Sequence, residues 1–134
     1  MNTIPSVLAI LLCDVIIIDQ ETKKTTLVGL FENLNVGAFP TMQKVGLFAR
    51  LTDMEGPYKF MLRIVRLDGD KEELMAGAEF EHQANDRLAN LNVALNLPGV
   101  PFTAPGRHEF QLFADGIYIG RAALAVQQAV QPSA

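Results

Sequence analysis

The side chains that most often carry enzyme chemistry are scarce here, because the sequence has one cysteine and two histidines. Cys13 shares strand parity with aliphatic residues, so we expect a buried thiol and not the stabilised thiolate of a cysteine nucleophile. His82 and His108, with Glu79, Glu81 or Glu109, are candidate metal ligands, but the His-Glu-x-x-His spacing of catalytic zinc sites is absent. We therefore predict no catalytic residue, no metal ligand and no cofactor.

Asp14 is the carboxylate whose position is hardest to explain, because it interrupts the apolar run 7–18. It shares a face with large aliphatic residues, where an ionised carboxylate needs water, a cation or backbone donors. We expect it to pair with Arg50, Arg63 or Arg121, or to protect a sheet edge as an inward-pointing charge. A structural role is favoured over a functional site.

The same apolar run resembles an export signal, but four features argue against one. Residues 1–6 contain no lysine or arginine, and Leu12 precedes the cysteine where a lipoprotein signal has a small residue. Asp14 interrupts the run well short of the roughly 18 apolar residues of a spanning helix. Val15 to Ile18 are all β-branched, which favours a strand. The sequence thus predicts a buried first strand, a cytoplasmic location and no membrane association.

Strands are predicted along the whole chain by apolar residues that alternate with polar ones between turn signals. In Leu88–Leu97 the asparagines alternate with leucine and valine, and only a strand places all of them on one side. The predicted strands are Val7–Ile18, Thr25–Val36, Val45–Asp53, Tyr58–Leu67, Leu74–His82, Leu88–Leu97, His108–Ala114 and Ile117–Val126.

About eight such strands predict a single all-β domain over residues 1–134, built as a two-layer antiparallel β-sandwich. A small closed β-barrel is the alternative architecture. Residues 127–134 are expected to form a frayed tail.

Several segments resemble a bacterial family of small all-β proteins of unknown function. They are the Leu12-Cys13-Asp14 strand, Leu27–Phe31, Phe39-Pro40, the Pro105–Phe110 turn and strand, and Asp115-Gly116. The resemblance covers nearly the whole chain and implies that the sandwich is immunoglobulin-like. It implies no activity and no site residues.

The charge distribution argues against nucleic-acid binding, and the net charge is −4. Eleven basic residues are dispersed along the chain, and their nearest approach to a cluster is Lys23-Lys24. Nucleic-acid binding needs a concentrated basic face to neutralise phosphates. We therefore predict a protein partner or a second copy of the chain, and no nucleic acid.

Apolar residues exceed what one buried face requires, since both faces of the first strand are apolar. Both faces of a strand are buried only if something packs on the outside of its sheet. We predict that a second subunit covers one sheet, with an irregular core in which strands change sheets as the alternative. The candidate interface residues are Ile16, Ile18, Phe31, Phe48, Met61 and Val65.

The favoured hypothesis is a non-enzymatic, self-associating, immunoglobulin-like binding or scaffolding module. Its recognition loops would be residues 37–44 and 97–106, which contain Phe39, Pro40 and Phe102.

Two alternatives remain open. One is a carboxylate and histidine hydrolase or lyase, with His82 or His108 close to Asp14, Asp53 or Glu79. The other is a carrier of apolar ligands, which requires a sizeable internal cavity.

Overall fold

The computed structural model describes residues 3–130, and these form nine strands and two sheets. The strands are β1 (Ser6–Ile18), β2 (Thr25–Leu30), β3 (Asn33–Val36), β4 (Thr41–Thr52), β5 (Gly56–Asp68), β6 (Lys71–Ala84), β7 (Leu91–Phe102), β8 (Gly106–Ala114) and β9 (Ile117–Gln128). The strand order is β2-β1-β4-β7 in one sheet and β3-β9-β8-β5-β6 in the other. The all-β prediction is confirmed, and the described strands form two separate sheets instead of one closed barrel.

The main core lies between the two sheets and is built from alternate residues of the central strands. Leu47 and Leu51 of β4 face Phe60 of β5 and Phe110 and Leu112 of β8, and all five are completely buried. The alternation that predicted these strands arises because successive side chains of a strand point to opposite faces.

The predicted second strand, Thr25–Val36, is in fact two strands that belong to different sheets. β2 pairs with β1, and β3 pairs in parallel with the end of β9. The chain crosses between the sheets at Phe31 and Glu32. Phe31 N–H donates to the Leu12 carbonyl at 3.0 Å, and the Glu32 carbonyl accepts from Ala125 N–H at 3.0 Å. Both halves alternate, so the local pattern does not reveal the crossing.

The prediction that residues 37–44 and 97–106 form loops is wrong for much of both segments, which belong to strands. β4 begins at Thr41 and β7 continues to Phe102, so that Met42 pairs with Pro101. Proline is tolerated there because β7 lies at the edge of its sheet, where a missing N–H breaks no ladder. Phe102 is fully buried in the main core. It is therefore wrong as an exposed recognition residue.

The remaining predicted loop residues and the tail also differ from expectation. Phe39 packs partly against the main core, whereas Pro40 is exposed at the bend before β4. β9 extends to Gln128, and Ala129 N–H donates to the Val36 carbonyl at 2.7 Å, so the first part of the predicted frayed tail is ordered. Residues 131–134 of that tail lie outside the described residues.

Candidate functional site

The β1–β2 hairpin bends back over the outer face of its own sheet. Lys23 and Lys24, in the hairpin turn, line the same groove as Ala9 of β1 and Asn92 of β7. In a straight hairpin, Ala9 and Ile18 would lie roughly 30 Å apart along the strand. One groove can include both ends only because the hairpin curls across β4 towards β7.

Asn96 of β7 holds the hairpin in this position by pairing with the backbone of Ile16. Ile16 N–H donates to Asn96 Oδ1 at 2.9 Å, and Asn96 Nδ2 donates to the Ile16 carbonyl at 2.9 Å. Gly46 of β4 lies beneath this contact. A Cβ at Gly46 would lie 2.9 Å from Cys13 Sγ and 3.4 Å from Asn96 Oδ1, so the crossing requires glycine.

A second small core forms under the curled hairpin. Cys13, Ile16 and Phe48 are 0%, 5% and 7% exposed, and Leu27 and Ala94 pack against them. Burial raises the pKa of the Cys13 thiol, and the neighbouring Asp14 carboxylate raises that pKa further. The thiol is thus protonated and buried, as the sequence predicts.

The six candidate interface residues do not share one exposed face. Ile16 of the hairpin and Phe48 of β4 are buried against each other in the second core, and Val65 is completely buried within the five-stranded sheet. Phe31 and Met61 are half-buried. Ile18 is 53% exposed. The prediction of one common interface through these residues is therefore wrong. It assumed that the outer faces of the sheets stay open to other chains, whereas the hairpin covers part of its own sheet.

Asp14 is an exposed residue within β1, at the point where the hairpin bends away from β4. It faces Gly29, whose φ is +71°, and a Cβ at Gly29 would overlap with the Asp14 carboxylate. Among the described residues, none of the expected arginines forms an ion pair with Asp14. Asp14 is therefore a solvated residue at a bend, where the left-handed glycine leaves room for its carboxylate.

The two histidines occupy different environments and form no common site. His108 is completely buried, and its Nδ1–H donates to the Gly106 carbonyl at 3.0 Å. His108 Nε2 has no hydrogen-bond partner among residues 3–130, and burial lowers the pKa of the ring. His82 lines a shallow groove with Tyr58 and Asp115. Across the same described range, no three histidine, cysteine, aspartate or glutamate side chains cluster as metal ligands do.

Glu109, on the outer face of β8, is a buried carboxylate whose ion pairs sequence reasoning did not anticipate. It accepts from Arg121 Nε at 3.1 Å, Arg107 Nη2 at 3.3 Å and Gln111 Nε2 at 3.1 Å. Arg107 and Gln111 lie two positions away on the same strand face, and this spacing is the signal that could have revealed the cluster. The two arginines together carry one more unit charge than Glu109 neutralises.

An open groove of about 920 Å³ lies along one edge of β9. β3 pairs only with the segment from Ala125 to Gln128, so residues 117–124 are hydrogen-bonded to β8 on one side and to no described strand on the other, where β1 packs close and Val7 lies beside Gly120. Because Ala125 N–H points towards β3, the N–H and carbonyl groups of Ala123 and Arg121 also point towards this open side.

The opposite wall of the groove comes from β1 and from the crossing between sheets. Ile10 and Leu12 of β1, with Leu30 and Phe31, present apolar surface. Arg107 and Arg121, which both pair with Glu109, line the groove together with Glu32. The groove therefore combines unpaired backbone groups, apolar surface and guanidinium donors.

Within residues 3–130, no helix is both long enough and apolar enough to span a membrane.

A family model described as Family of unknown function (DUF6941) matches residues 8–127. No curated protein matches the chain.

Proposed function

The chain belongs to this family of unknown function, and we propose that it is a non-enzymatic, immunoglobulin-like binding module of the cytoplasm. In this proposal the open edge of β9 accepts an extended segment of a protein partner, which adds to the five-stranded sheet as a further strand.

The strand order supports an immunoglobulin-like assignment. The neighbours β9-β8-β5-β6 correspond to strands G, F, C and C′ of a variable-type domain, and β1-β4-β7 correspond to A, B and E. The crossing from β2 to β3 is an addition to this plan.

The open edge of β9 is the observation that carries the proposal. Unpaired strand edges are templates for a further strand, and natural proteins usually cover them or protect them with charge. Here β3 covers one end of the edge, while the backbone groups of Arg121 and Ala123 face the groove. In strand addition, such main-chain groups supply affinity and the adjoining side-chain pockets supply specificity.

Charge favours a different protein as the occupant over a second copy of this chain. Two copies joined through β9 would bring Arg121 and Arg107 of both copies to the same junction. Like charges placed opposite each other across strands are destabilising. A segment with alternating apolar side chains and an acidic residue opposite Arg121 fits the groove better.

The test is selection of peptides from a random heptapeptide library displayed on phage, with hydrogen exchange as the readout. We expect bound peptides to slow exchange of the Arg121 and Ala123 amides. The Ala122 amide points to β8 and should be protected already. Ala123→Pro removes an edge N–H and should abolish binding, whereas the matched control Ala123→Ser keeps it.

The proposal is wrong if the selected peptides protect other amides, or if no peptide prefers the wild-type protein to Ala123→Pro. The exchange readout on the wild-type protein decides the question even if the proline variant fails to fold.

Self-association through the hairpin is the second candidate. Val15, Ile17 and Val28 share the outer face of the hairpin and are 40%, 53% and 42% exposed. Apolar surface of this kind can mark an interface. Sedimentation should then show a dimer that Ile17→Glu converts to the monomer, and a 14.7 kDa monomer at micromolar concentration contradicts this candidate.

A further inference from the structure

A second groove, of about 630 Å³, lies on the outer face of the four-stranded sheet beneath the hairpin turn. Its floor is apolar and includes Leu11, Leu27 and Phe48. It shares Leu11 of β1 with the groove beside β9, but its other lining residues belong to the outer face of β1, β2, β4 and β7 and to the hairpin turn. No step in the proposed strand addition uses it.

The charged side chains that line this groove are all cationic. Lys23 and Lys24 enter from the hairpin turn, and Arg50 enters from β4, whereas no aspartate or glutamate lines the groove. Within residues 3–130 the ion pairs use other arginines, so these three cations have no carboxylate partner. Uncompensated cations of one sign beside apolar walls attract anions. This occurs on a chain whose net charge is −4.

Asp19, a carboxylate in the same turn, does not neutralise these cations because it accepts hydrogen bonds from the turn backbone. Asp19 Oδ1 accepts from the backbone N–H groups of Glu21 at 2.9 Å and Thr22 at 2.8 Å. These hydrogen bonds lower the pKa of Asp19 and hold it within the turn. Asp19 therefore stabilises the turn that carries the two lysines and does not line the groove.

Two contacts position Arg50 without using the terminal nitrogens of its guanidinium group. Its Nε donates to Asn92 Oδ1 at 2.9 Å, and its guanidinium carbon lies 5.8 Å from the centre of the Phe48 ring. These contacts leave both terminal nitrogens of Arg50 to bind an anion through two parallel hydrogen bonds. Because Asn92 Oδ1 accepts from Arg50, Asn92 Nδ2 is a further donor.

We propose that this groove binds an organic anion with an apolar body, such as a phosphate monoester or carboxylate that carries an alkyl or aryl group. Arg50 and the two lysines hold the anionic group, and the aliphatic and aromatic floor covers the apolar body. The curl of the hairpin creates the site, because it brings the turn lysines over β4.

The probe is decyl phosphate, titrated below its micelle concentration into the whole protein and followed by calorimetry and amide NMR shifts. We expect saturable binding that weakens with salt and shifts the signals of Leu27, Phe48 and Arg50. Arg50→Gln should weaken binding by about tenfold or more, since each lost charged hydrogen bond is worth on the order of 1.5–3 kcal/mol. The matched control Lys71→Gln, at the start of β6, should change affinity less than twofold.

Three further arms decide the ligand class. Inorganic phosphate and the uncharged decyl maltoside should each bind more weakly than decyl phosphate, because each lacks one half of the recognition. Equal binding of either compound overturns the proposal. Binding to phosphatidylglycerol vesicles without binding to free decyl phosphate also overturns it, because a membrane surface would then be the ligand.

A second variant protects the test against a folding failure. Lys23→Gln combined with Lys24→Gln changes only exposed turn side chains. It should weaken decyl phosphate binding without a change in thermal unfolding. Unchanged affinity in this variant and in Arg50→Gln contradicts the proposed site.

Discussion

The side-chain amide of Asn96 pairs with the backbone of Ile16 as a peptide group of a neighbouring strand would. Both hydrogen bonds are 2.9 Å long and join residues 80 positions apart in sequence. Asn96 thereby fastens the β1–β2 hairpin across β4. The hairpin covers a second core and brings its turn over the cationic groove.

Replacing Asn96 with leucine should lower the free energy of unfolding by about 1–3 kcal/mol, because two partly buried backbone groups of Ile16 lose their partner. Urea denaturation measures the change. Asn90→Leu replaces an exposed asparagine just before β7 and should stay within about 0.5 kcal/mol of the wild-type value. Equal effects of the two substitutions would show that the Asn96 contact does not hold the hairpin.

Gly46→Ala should destabilise the protein by about 1–3 kcal/mol, because the new methyl group would lie 2.9 Å from Cys13 Sγ and 3.2 Å from Ile16 Cγ1 and would push the hairpin away from β4. The matched control is Gly37→Ala, since a Cβ at Gly37 meets nothing within 4 Å. Thermal unfolding of both variants provides the comparison. A Gly46→Ala protein as stable as the control would contradict the close crossing of the hairpin over β4.

The Cys13 thiol should react slowly with a thiol reagent in the native protein and rapidly in urea. It is fully buried, and burial followed by the Asp14 carboxylate raises its pKa, so little thiolate is present or accessible. Reaction with Ellman's reagent measures the rate, and Asn96→Leu should accelerate it by loosening the hairpin. Rapid reaction of the native wild-type protein would mean that the second core is open.

His108 should make the protein less stable as the pH falls below about 6.5, the ordinary histidine value. Burial lowers the pKa of His108 in the folded state, with the Gly106 carbonyl opposing this and Arg66 adding to it. The unfolded state therefore binds the proton more readily, so stability is retained above that pH and lost as the pH falls towards the folded pKa.

The comparison uses His108→Asn, which keeps a donor for the Gly106 carbonyl but does not titrate. Urea denaturation between pH 7.5 and 5 should show a shallower loss of stability for this variant than for the wild type. Parallel pH profiles of the two proteins would contradict a lowered histidine pKa.

The sequence by itself determined that this is an all-β chain and where most strands lie. The alternation in Tyr58–Leu67 and Leu88–Leu97 is a local property, because neighbouring side chains of any strand point to opposite faces. It predicted most of β5 and most of β7. The family assignment also follows from sequence, since the family model matches residues 8–127.

The tertiary structure alone decided which sheet each strand joins and what covers the second face of β1. The crossing at Phe31 and the β-paired prolines of β7 depend on partners that are distant in sequence. The apolar run around Asp14 suggested a second subunit, yet the hairpin bends there and covers its own sheet through Ile16. The local sequence pattern shows how polar each face of a strand is. Which part of the protein covers an apolar face depends on long-range contacts such as the one between Ile16 and Asn96.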